Sequence, residues 1–73
     1  MTYATALRHA GINLEKTDKY ETYDFWGTTK SGKRFYMYKA GGAYGQKFTL
    51  NIDGKIMATA CLFRTAVRLI KTN

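Results

Sequence analysis

The spacing of apolar residues changes character along this chain. Over the first ten positions Tyr3, Ala6, Leu7 and Ala10 recur at intervals of three and four, which is one face of a helix. Thr2 stands where an N-cap hydroxyl is wanted, and Gly11 where a left-handed residue ends a helix. The segment INLEKTDKY reads as a connection, with Ile12 and Leu14 tucked into the edge of the domain. From Tyr20 the rhythm becomes two, the period of a strand. YETYDFWGTT predicts a first strand, KRFYMYK a second, QKFTLNI a third and KIMAT a fourth. TKSGKR and the Asp53-Gly54 pair are turns, the second a strong hairpin signal. AGGAYG is a glycine-rich, flexible connection between the second and third strands. The rhythm returns to helical in ACLFRTAVRLIKTN. There Leu62, Phe63, Ala66, Val67, Leu69 and Ile70 form a broad apolar face and Arg64, Arg68 and Lys71 line the opposite one.

These elements predict an α+β fold: a four-stranded antiparallel β-meander packed against a C-terminal helix, with a short N-terminal helix. One domain is expected across residues 1–73, with a helical arm and connection over 1–19, the sheet over 20–59 and the last helix over 60–71. The third strand sets the faces. Phe48, Leu50 and Ile52 alternate with Lys47, Thr49 and Asn51, so the first set turns toward the C-terminal helix, together with Phe35, Met37, Tyr23 and Phe25. Arg34, Tyr36 and Tyr38 then fall on the far side with Thr22, Asp24 and Trp26. That side is expected to be wet, unless the first helix folds over part of it and makes some of its rings a second, minor core.

Charge sharpens the picture. The net charge is +7, unevenly spread. Residues 1–24 carry three basic and four acidic side chains, whereas residues 25–73 carry nine basic ones and Asp53 alone against them. A basic domain behind a near-neutral arm points to a polyanionic or acidic partner. With apolar residues at 45% and aromatics at 15%, the chain has the material for an ordered core. The single Cys61 excludes an internal disulfide and fits a reducing compartment. No apolar run suggests a signal peptide or a membrane span, so a soluble cytoplasmic protein is expected.

Catalytic chemistry finds little footing. One histidine, His9, and one cysteine do not make a four-ligand zinc site, and His9 reads as a surface residue of the first helix. Cys61, placed at the start of an apolar helix, reads as a small hydrophobe. Glu15, Asp18, Glu21 and Asp24 recur every three residues within a segment rich in strand-forming rings, and read as a solvated acidic edge. AGGAYGQK lacks the lysine–hydroxyl ending of a phosphate loop and does not lead into a helix. No enzyme, cofactor or metal is expected.

A binding surface is expected instead. Cations neutralise phosphates and release counterions, while flat rings stack on bases at roughly 1–3 kcal/mol each. The far side of the sheet offers both, through Trp26, Arg34, Tyr36, Tyr38, Lys47 and Asn51, with Lys30, Lys33, Lys39 and Lys55 in the flanking turns. Arg64, Arg68 and Lys71 form a secondary basic stripe. Tyrosine also favours strands on any face, so the same rings serve structure equally well. The expected partner is nucleic acid, DNA or RNA, read with little base specificity. The alternative is an acidic protein surface, since Tyr, Trp, Met and Arg are also the residues of protein–protein hot spots.

The order of ATALRHAGI, strands and ACLFRTAVRLIK is similar in topology to double-stranded-RNA-binding domains. That family has three strands and a lysine cluster opening its last helix, where this chain has TACLFR. In its dense Tyr, Lys and Gly usage, GKRFYMYKAGGAYGQKFTLNIDGK resembles small accessory proteins of tailed phages. That resemblance implies a module that docks on, and blocks, a host or defence enzyme.

Overall fold

The computed structural model describes residues 2–15, 25–42 and 45–73. In chain order they form α1 (Tyr3–His9), β1 (Asn13–Leu14), β2 (Phe25–Thr28), β3 (Arg34–Lys39), β4 (Phe48–Ile52), β5 (Lys55–Cys61) and α2 (Phe63–Thr72). The architecture is α+β. The sheet is an antiparallel meander in the order β1-β2-β3-β4-β5. It has five strands where the periodicity predicts four, because the expected connection contributes β1. The expected strand residues Tyr20–Asp24, and with them Thr22, Tyr23 and Asp24, lie outside the described residues, as do Ala43 and Tyr44.

Local chemistry explains the ends of α1. The Thr2 hydroxyl accepts from the Thr5 amide at 3.1 Å. At the other end the Gly11 amide donates to Arg8 and the Ile12 amide to Leu7, both at 3.0 Å, with Gly11 at φ +82°. This is a Schellman cap, whose usual companion is an apolar contact across the cap. Leu7 and Ile12 both belong to the buried core. The cap turns the chain directly into β1, where Asn13 pairs with Thr28 and Leu14 with Gly27. Gly27 makes that approach possible. A Cβ there would stand 1.9 Å from the Asn13 carbonyl oxygen.

Both helices lie on one side of the sheet. Leu7 and Ile12 from the first, and Ala66 and Ile70 from the second, join Phe35, Met37, Phe48, Leu50 and Ile52 in a single core. The Tyr3 ring meets Phe48 and Phe63 at 5.0 Å and Phe25 at 6.4 Å between centroids. The inward assignment of the second and third strands therefore holds. The suggestion that the first helix folds over the far face does not, because its apolar stripe is satisfied on the core side beside Phe63.

The β4–β5 turn has Asp53 at φ 54° and Gly54 at φ 81°, the type I′ geometry that suits strand twist. β5 is longer than the expected KIMAT. Phe48 stands opposite Cys61, Leu50 opposite Ala58 and Asn51 opposite Ile56, so extra residues bulge from β5 on both sides of Ala58. Ala60 takes φ +52° within the second bulge. The strand absorbs Ala60 and Cys61, and α2 starts at Phe63 instead of residue 60. Cys61 thus sits on a strand, half-buried and packed against the core. Leu62 is the N-cap, outside the helix, and is exposed instead of joining the apolar face.

Candidate nucleic-acid interface

The far face is built from rows of cross-strand pairs. Trp26 stands opposite Tyr36, Tyr36 opposite Asn51, and Asn51 opposite Ile56. A second row runs from Asn13 through Thr28 to Arg34, and a third pairs Tyr38 with Thr49. The expected set does share this face, but it is not the wet surface that strand parity suggests. Trp26 is only 4% exposed and Thr49 is buried as well. Tyr36 and Tyr38 are half-buried. Large side chains directly opposite on neighbouring strands stand about 5 Å apart at Cβ and contact one another. Trp26 is therefore removed from the contact set: its indole is a packing element of the sheet. Asn51 is half-buried, and its side-chain oxygen is buried without a hydrogen-bond partner, which leaves it a poor reader of bases.

Arg34 is exposed but engaged. Its guanidinium donates to the Glu15 carboxylate at 2.8 Å. The two side chains are 49% and 39% exposed, so the pair is worth only about 0.2–1 kcal/mol. It nevertheless offsets the charge of Arg34. Glu15 is held there because β1 runs beside β2, with the Glu15 amide donating to the Trp26 carbonyl at 3.0 Å.

Topology sorts the remaining cations by position. β2 runs into the turn at residues 29–33 and β3 runs back from it. β4 ends beside the start of β3, where the Asp53 amide donates to the Arg34 carbonyl at 2.8 Å. The β4–β5 turn therefore lies at the same end of the sheet as the β2–β3 turn. α2 also finishes there, since Ser31 Oγ and Thr29 Oγ1 donate to the Asn73 carbonyl. Lys30, Lys33, Arg34, Lys55 and Lys71 are thereby gathered at one pole, all exposed. Arg8 and His9, in the last turn of α1, approach the same pole. Lys39 and Lys47 lie at the opposite end, where Lys39 pairs with Phe48. Arg64 and Arg68 are exposed on the outer side of α2.

Part of this charge answers the fold itself. Both helices direct their electronegative C-termini toward the pole, and Arg8 and Lys71 occupy last turns, where a cation is favoured by about 0.3–1 kcal/mol. Lys30 and Lys33 sit in the β2–β3 turn and Lys55 opens β5, and none of them has such a role. The β2–β3 turn is held by hydrogen bonds at its base. The Thr29 amide donates to the Lys33 carbonyl at 2.7 Å, and the Lys33 amide donates to Thr29 Oγ1 at 3.1 Å.

On the edge strand β5 two large apolar side chains, Ile56 and Met57, are exposed near the pole, and Leu62, the N-cap of α2, is exposed past the strand's other end. Ile56 is 64% exposed, Met57 38% and Leu62 41%. Nothing in the periodicity singles them out, because the bulges in β5 decide where they point. Among the described residues no three of His, Cys, Asp or Glu come together to hold a metal. Nor is any helix among them long and apolar enough to cross a membrane. Compared with family models, with curated proteins and with solved structures, the chain finds no match in any of the three.

Proposed function

We propose that this protein binds nucleic acid through the cationic pole, chiefly by neutralising backbone phosphates and with little base specificity. The observation that carries the reading is the convergence of Lys30, Lys33, Lys55 and Lys71 on one end of the domain, supplied by three separate segments of chain. Asp53 and the engaged Glu15 are the acids placed near them among the described residues. Phosphate contacts of this kind position a strand but carry no sequence information. Tyr36 and Tyr38, half-buried on the adjoining face, contribute ring edges to a bound strand, a smaller share than full stacking platforms would give.

Fluorescence anisotropy with a labelled single-stranded oligonucleotide tests the reading. Four phosphate contacts give a slope of about −3 in log affinity against log salt, at roughly −0.7 per contact. A flat salt dependence, or no binding at low salt, rules it out.

The second reading is a protein-docking module on an acidic partner, as the likeness to phage accessory proteins implies. Ile56 and Met57 on β5 favour it. Exposed apolar side chains along an edge strand are suited to pairing with another chain. Gel filtration from lysate with and without nuclease separates the two. A stoichiometric protein partner retained after nuclease treatment supports docking, and loss of all associated material supports nucleic acid.

A further inference from the structure

A cleft of about 580 Å³ opens within the cationic pole, where the end of α1, β1, the end of β2 and the last turns of α2 meet. Ile12 and Ile70 give it an apolar floor, and Lys30 and Lys71 supply two cations. Its size falls in the range of small-molecule sites, about 300–1,000 Å³. Among the described residues, none of those that line it is acidic.

We infer that the cleft takes a nucleotide bearing a terminal phosphate, so that the protein recognises the end of a strand as well as its backbone. This rests on the nucleic-acid reading above. The chemistry of the lining selects the guest. An apolar floor suits the flat face of a base. Two lysines match a terminal phosphate monoester, which carries about −1.5 to −2 at pH 7. A phosphodiester inside a strand carries only one charge and leaves one lysine unanswered. The cleft also opens where the backbone-binding cations lie, so a strand tracked along the pole can deliver its end there.

One oligonucleotide sequence, labelled internally, is prepared linear with a 5′-phosphate, linear with a 3′-phosphate, linear with hydroxyl ends, and as a closed circle. One phosphorylated form is expected to bind about tenfold more tightly than the hydroxyl-ended and circular forms, as one added charge-assisted contact allows. Lys71→Ala is expected to weaken all four and to abolish the difference. Adenosine monophosphate alone is expected to shift the amide resonances of Gly11, Asn13, Thr28 and Lys71, with adenosine producing little change. Equal affinity for all four strands, or monophosphate shifts elsewhere in the protein, overturns the end-recognition proposal while the backbone reading stands. Absence of binding to any strand overturns both.

Discussion

Gly27→Ala tests the least expected feature of the fold, the two-residue strand that adds a fifth rung to the sheet. The added methyl group would stand 1.9 Å from the Asn13 carbonyl oxygen, 3.0 Å from its carbonyl carbon and 3.1 Å from Leu14 Cα. All three neighbours are backbone, so no side-chain rotation relieves the clash, and β1 has to move off β2. That loosens the Glu15 amide bond to Trp26 at 3.0 Å and the Asn13–Thr28 bond at 2.9 Å, each worth about 0.5–1.5 kcal/mol net. It also weakens the Glu15–Arg34 pair, by about 0.2–1 kcal/mol, and pulls Ile12 and Leu14 partly out of the core. The total is about 2–4 kcal/mol, and in a domain this size each kcal/mol lowers Tm by roughly 4–8 °C. Thermal unfolding by circular dichroism should therefore show a fall on the order of 10–30 °C. Gly42→Ala is the control. Its new methyl group would meet nothing nearer than 3.5 Å, so a change within about 0.5 kcal/mol is expected. Hydrogen exchange adds a local readout: the Glu15 amide should lose protection in Gly27→Ala and keep it in Gly42→Ala. Equal melting temperatures for Gly27→Ala and wild type would refute the placement of β1.

Other outcomes follow from the same geometry. Leu50 is fully buried in β4, so Leu50→Ala should cost about 2–5 kcal/mol in chemical denaturation; unchanged stability would refute the inward face. Asn51→Val removes a buried acceptor without a partner and puts a strand-favouring residue in its place, so a gain of about 1 kcal/mol is expected. Glu15→Gln frees Arg34 at the pole, and the salt slope of oligonucleotide binding should steepen by about one contact.

Much of the fold is legible in the residues because it is local. The alternation of Phe48, Leu50 and Ile52, the Asp53-Gly54 turn, and the Thr2 and Gly11 caps each state their structure within a few positions. What escaped is set by contacts distant in sequence. β1 has only two residues, and its docking depends on the bare backbone of Gly27, fourteen positions beyond Asn13. The bulges around Ala58, which lengthen β5 and expose Ile56 and Met57, leave no period to read. Strand parity places Trp26 correctly on the far face, but parity cannot say whether a face is wet, and this ring is buried. The site shows the same division. The excess of cations is visible in composition, whereas their separation into a pole, an opposite end and a helix flank follows from which turns the meander brings together. Lys30, Lys33, Lys55 and Lys71 are a cluster only once the sheet is formed.

The central claim is that the pole, and not the cationic side chains at large, carries binding. Comparing two charge-matched variants tests it most directly. Lys30→Ala with Lys55→Ala removes two cations from the pole, and Arg64→Ala with Arg68→Ala removes two from the outer side of α2. All four side chains are exposed, so both variants should keep the wild-type melting temperature. Anisotropy across a salt series should show the pole variant losing about two contacts of slope and the helix variant binding nearly as the wild type does. Equal losses in the two variants would contradict the account, because net charge alone would then explain the binding.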